Sequence, residues 1–83
     1  MKTIDSLKPD NRVTVTVLSP EGTAVYQSTE TGYHSIGEAL REAVAKADLS
    51  LNPEDYVFEV ANRTTDVTHR YRINAHGNLK LIV

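Results

Sequence analysis

Ser35-Ile36-Gly37-Glu38-Ala39-Leu40-Arg41-Glu42-Ala43-Val44-Ala45-Lys46-Ala47 is the stretch on which the fold of this chain turns. Its apolar residues Ile36, Ala39, Leu40, Ala43, Val44 and Ala47 recur at intervals of three and four, which puts them on one face of a helix. Ser35 followed by Glu38 reads as a capping box: the serine hydroxyl takes a free backbone N–H, and the glutamate reaches back to the Ser35 amide. Glu38, Arg41, Glu42 and Lys46 fall mostly on the other side, with Glu42 and Lys46 spaced as a favourable i, i+4 pair. Four alanines, Ala39, Ala43, Ala45 and Ala47, keep the helix slim enough to lie close on a sheet, and the helix is expected to end near Asp48.

Outward from this helix the period changes from 3.6 to 2. Upstream, residues 12–18 alternate, with Val13, Val15 and Val17 pointing one way and Thr14 and Thr16 the other, all five β-branched. Ser19-Pro20-Glu21-Gly22 has the residues of a type I turn closed by a glycine bulge, so residues 23–29 should return antiparallel. Downstream, Leu49 and Leu51 bracket a short connection, and Asn52-Pro53-Glu54-Asp55 reads as a capped single turn with proline first. Three further strands are expected at 56–61, 67–73 and 79–83, joined by the short polar links 62–66 and 74–78. Residues 1–11 are polar, end in the turn signal Lys8-Pro9-Asp10-Asn11, and read as a flexible leader to a single domain over 12–83.

The expected fold class is therefore α+β: a single domain of order β-β-α-β-β-β, with one helix packed on one face of a mostly antiparallel sheet. By element order only, this is β-grasp-like, because ubiquitin-like β-grasp domains share its β-β-α-β beginning. That likeness carries no functional residue. The chain ends on strand residues without a diglycine tail, which speaks against a conjugated modifier.

With 83 residues, the chain is large enough for one domain and too small for two. Its 40% hydrophobic and 24% charged residues are those of a globular protein. No apolar run approaches the roughly 20 residues of a membrane span, and the first residues lack the apolar region of a secretory signal. Cysteine is absent, which removes disulfide and thiolate chemistry and makes a reducing, cytoplasmic setting the expected one. Net charge is −2 but uneven: residues 1–61 carry five basic against ten acidic side chains, and residues 62–83 carry four against one. Such asymmetry marks either a basic docking surface or a spatial pairing of the two halves.

Chemistry-bearing patterns are sparse. His34, His69 and His76 are scattered over a loop, a strand and a hairpin without ligand spacing, so no metal site is expected. His69 falls on the inward set and is expected to be partly buried with a satisfied nitrogen. No nucleophile elbow, P-loop or glycine-rich phosphate cradle is present, and Glu54-Asp55 fits a turn better than an acid–base pair; no enzyme activity and no cofactor are expected. Glu59 and Asp66 have arginines near enough in sequence for cross-strand charge pairing. Asn62-Arg63-Thr64 matches a glycosylation sequon, but nothing directs the chain to the compartment that would use it. Tyr33 and Tyr56 read as core-edge rings with solvated hydroxyls.

What remains is surface. With Val13, Val15, Val17, Phe58, Val60, Tyr71 and Ile73 facing the helix, the opposite sheet face should show Thr14, Thr16, Glu59, Thr68, Arg70 and Arg72. Lys80 and Ile82 join it, and Tyr26 does so if Val25 points inward. The candidate binding surface is accordingly Arg63, Thr68, Arg70, Arg72, Lys80 and Ile82. The expected function is that of a small non-catalytic protein-binding or adaptor domain acting through this face or through an edge strand. The partner is another protein, or a second copy paired weakly through Leu79-Lys80-Leu81-Ile82-Val83. The alternative is single-stranded nucleic-acid binding, in which cations track phosphates and a ring stacks on bases.

Overall fold

The computed structural model describes residues 7–48, 52–74 and 76–82. They form β1 (Val13–Leu18), β2 (Ala24–Glu30), α1 (Ile36–Lys46), a 3₁₀ turn (Pro53–Asp55), β3 (Val57–Asn62), β4 (Val67–Ile73) and β5 (Leu79–Ile82). One five-stranded sheet runs β2-β1-β3-β4-β5 with every neighbouring pair antiparallel. This is the expected α+β domain. Because β2 and β3 flank β1, the helix that joins them must pass over β1, and it packs there.

Local chemistry sets each element. At the β1–β2 turn the Gly22 N–H donates to the Ser19 carbonyl at 2.8 Å, and Ser19 N–H donates to the Thr23 carbonyl at 2.8 Å. Gly22 sits at φ +88°, a region that a side chain at this position would strain. The register then slips between Val17 and Leu18, leaving Val25 as the extra residue of a bulge. At the start of α1 the Ser35 hydroxyl accepts from the Glu38 N–H at 3.1 Å. The reciprocal arm differs from expectation: the Glu38 carboxylate accepts from the His34 N–H at 2.9 Å, one residue earlier than Ser35. The first arm satisfies a donor of the first turn, and the second fastens the residue before the cap onto the helix. The turn at Asn52 has proline first, as expected, but the Asn52 side chain donates to the Asp55 carboxylate at 3.0 Å instead of capping the backbone.

The core lies between α1 and the sheet. Val13, Val15, Val17, Phe58, Val60, Tyr71 and Ile73 from the strands meet Ile36, Ala39, Leu40 and Ala43 from the helix, all buried. Each valine, leucine or phenylalanine taken fully out of water here contributes about 1.5–3 kcal/mol. Packing begins earlier than the expected boundary at residue 12. Residues 1–6 of the expected leader lie outside the described residues, but Leu7 is part of the core and Asn11 is buried. The Asn11 side-chain oxygen accepts from the Asn62 amide at 2.9 Å and from the Lys8 N–H at 3.3 Å. The Gly32 N–H donates to the Pro9 carbonyl at 2.8 Å, fastening this segment to the end of β2. Asn62 is thereby used structurally, and its side-chain oxygen also accepts from the Thr64 and Thr65 N–H groups.

Candidate binding face

The antiparallel register places the candidate residues by alternation. A row across all five strands runs Gln27, Thr16, Glu59, Arg70, Ile82, and the row below it runs Thr29, Thr14, Ala61, Thr68. Arg72 stands directly opposite Lys80. Thr68, Arg70, Arg72, Lys80 and Ile82 therefore share the face that the helix leaves uncovered. Arg63 joins them from just beyond β3, because its Nε–H donates to the Thr14 hydroxyl at 3.1 Å.

Two expectations about this face need correction. Thr14 and Thr16 are 4% and 8% exposed and are not solvated. They sit on the interior strand β1, where long polar neighbours fold across them: Arg63 over Thr14, and Gln27, whose amide donates to the Thr16 hydroxyl at 2.9 Å. β1 is consequently buried on both faces. Tyr26 does not join the face. It pairs with Val17 and packs, partly buried, on the helix side, while Val25 is left exposed by the bulge. Phe58, Tyr71, Tyr33 and Tyr56 also belong to the core or its rim, so among the described residues this face carries no aromatic ring.

Its electrostatics are one-sided. Arg12, Arg63, Arg70, Arg72 and Lys80 are cations on or flanking the face, and the strands supply one carboxylate to it, Glu59. Glu59 is engaged by the Arg70 Nε–H at 3.0 Å, which is the expected cross-strand pair. Asp66, by contrast, makes no ion pair among the described residues; it turns the β3–β4 hairpin at φ +60°. Arg72 donates from Nη1 to the Glu54 carbonyl at 3.4 Å, and Lys80 has no carboxylate within 4 Å among the described residues. Arg12 was absent from the candidate list, although the alternation of residues 12, 14 and 16 already put it on this face.

Titration is perturbed elsewhere, at a clamp between α1 and β2. The Tyr33 hydroxyl, in a residue 5% exposed, donates to the Glu42 carboxylate; it is bonded and not solvated as expected. Burial, and then that bond, raise the phenol well above its ordinary value. The same bond lowers Glu42, helped by Lys46. Lys46 lies 3.3 Å from Glu30 and 3.7 Å from Glu42, so the expected i, i+4 pair is present within a larger network, and Glu30 raises the lysine. These shifts hold each group in its ordinary charge state, the opposite of what a nucleophile or general base near neutral pH needs.

The histidines stay apart. His34 sits before the helix cap with Nδ1 3.6 Å from Glu38, His76 is in the β4–β5 turn, and His69 is half-buried on the helix-facing side of β4. The expected partial burial is present, and the His69 ring meets that of Tyr71 edge to face at 6.4 Å. Among the described residues no three His, Asp or Glu side chains gather as a metal site, and no helix is long and apolar enough to cross a membrane. Compared with family models, curated proteins and solved structures, the chain matches none.

Proposed function

We propose that this chain is a non-catalytic binding domain that docks an acidic segment of a partner protein on its uncovered sheet face. Arg70, Arg72, Lys80, Thr68 and Ile82 form the contact, with Arg63 at the far corner. The observation that carries the reading is the charge of this face, five cations to one carboxylate in a chain of net charge −2. Cross-strand like charges such as Arg72 and Lys80 are unfavourable when left alone, and a carboxylate laid between them reverses the sign. Ile82 beside Arg70 supplies an apolar contact within the charged patch, as interface cores do.

The absence of a ring ranks single-stranded nucleic acid second. Without stacking, such binding would rest on phosphates alone and lose about 0.7–0.9 in log K per log salt for each phosphate neutralised. Anisotropy titrations of a labelled Asp/Glu-rich peptide and of oligonucleotides of equal charge, at low and moderate salt, separate the two. The expected result is saturable peptide binding that the Arg70→Ala, Arg72→Ala double variant weakens at least tenfold. Tighter binding of the oligonucleotide at moderate salt would transfer the face to nucleic acid, and flat curves for both would retire it.

An edge-strand route keeps a specific support, since β5 is an edge of the sheet. It is only four residues long and carries Lys80, features that discourage pairing with a second copy. Self-association through β5 is therefore the lesser reading.

A further inference from the structure

We infer that the corner of the face between Arg12 and Arg63 is a discrete oxyanion site that takes a phosphate group, free or as a monoester. Arg12 and Arg63 continue the β1–β3 register past Val13 and Asn62, so they stand opposite each other across the two strands. Their backbones are locked together: the Arg63 N–H donates to the Arg12 carbonyl at 2.7 Å, and the Arg12 N–H donates to the Thr64 hydroxyl at 2.9 Å. Like charges in that position destabilise a sheet unless something lies between them. Among the described residues neither guanidinium has a carboxylate within 4 Å. Uncompensated breaks of a local rule of this kind are expected at functional sites.

The space between them is prepared for an acceptor. Arg12, Thr14, Thr29 and Arg63 line an open depression of about 380 Å³. The Arg63 Nε–H is held by the Thr14 hydroxyl at 3.1 Å, which fixes the guanidinium plane and leaves its Nη donors available. Thr14 and Thr29 share a hydrogen bond of 2.8 Å. Either hydroxyl can be the donor in that bond; with Thr14 donating, the Thr29 hydroxyl hydrogen is left to point onward. Two positive charges, that of Arg63 held in place by Thr14, with fork-shaped donors and neighbouring hydroxyls, suit a dianionic tetrahedral oxyanion better than a single carboxylate. Arg63 is shared with the far corner of the docking contact, but Arg12 and Thr29 belong to this site alone, so the Arg12 variant tests it separately from the docking reading at Arg70, Arg72 and Lys80.

The test is a titration of the ¹⁵N-labelled protein with sodium phosphate, read from backbone amides and the arginine Nε–H signals, against sodium chloride at matched ionic strength. Saturating shifts confined to Arg12, Thr14, Thr29 and Arg63 are expected with phosphate, with a Kd on the order of 1 mM for two charge-assisted contacts in an open site. Arg12→Gln and Arg63→Gln should each weaken binding at least tenfold, and Arg72→Gln should leave it within twofold. Arg12 is exposed, so its variant carries the test if loss of the Arg63–Thr14 bond unfolds the other. Parallel titrations with O-phosphoserine and uridine 5′-monophosphate identify the carrier by which binds more tightly, and saturation by inorganic phosphate alone assigns the site to the free ion. Non-saturating shifts, equal shifts with chloride, or unchanged affinity in Arg12→Gln would overturn the proposal.

Discussion

Single side chains decide two features of this protein, the clamp at Tyr33 and the cover over Thr14 and Thr16, and local sequence shows neither in full. Tyr33 and Glu42 are nine residues apart and on different elements, so no spacing rule joins them; only the folded chain brings the phenol to the carboxylate. Replacing Tyr33 with phenylalanine should cost about 1 kcal/mol, less than a fully buried charged hydrogen bond because the freed carboxylate can rehydrate. The pH dependence gives a second readout. The phenol is raised in the fold, so its contribution is fully present below about pH 10, the ordinary tyrosine value, and is lost as the pH rises beyond it. Glu42 is lowered, so its contribution is present above the ordinary carboxylate range and is lost as the pH falls through its folded value. Urea unfolding across pH should show both limbs in the parent and flatter ones in Tyr33→Phe. Unchanged limbs would mean that other groups carry them. Thr14 and Thr16 teach the same lesson, because alternation placed them on the correct face and could not show that Arg63 and Gln27 would bury them.

At the scale of elements the sequence was far more legible. The helix announced itself through Ser35 and the run Ile36, Ala39, Leu40, Ala43, and three of the strands through β-branched or aromatic alternation, with β2 inferred from the turn before it, since these patterns are local and the core depends on them. What stayed hidden was the strand order, which rests on contacts between residues far apart in the chain, such as Val15 with Val60. That order decided that β1 is an interior strand and β5 is an edge. Ser35→Ala removes one arm of the helix cap and leaves the Glu38–His34 arm, so a loss of about 1 kcal/mol in thermal or urea unfolding is expected. Leu40 is fully buried under the sheet, and Leu40→Ala should cost about 2–5 kcal/mol, close to the whole stability of so small a domain. If both variants unfolded alike, the cap would be doing more than closing a free N–H.

For the whole molecule the ruling feature is the separation of charge. Arg12, Arg63, Arg70, Arg72 and Lys80 gather on or beside the uncovered sheet face, while Glu30, Glu38, Glu42 and Asp48 outnumber Arg41 and Lys46 on or beside the helix and the end of β2. A body with opposite fields on opposite sides attracts its own copies head to tail when screening is weak. Sedimentation velocity at rising protein concentration should show association at about 10 mM salt that vanishes near 150 mM, where the screening length is about 8 Å. Association that persists at the higher salt would point instead to backbone pairing along β5. The place of β1 between β2 and β3 has a further consequence, for biosynthesis. The β1–β2 hairpin leaves the ribosome first, and the strand that must close its other side is not complete until Asn62 has been added. At about 5–20 residues per second the growing chain carries this valine-rich edge open for some seconds. Truncated chains that stop before Val57 would therefore expose this edge and be candidates for chaperone binding, whereas in the complete sheet β3 covers it.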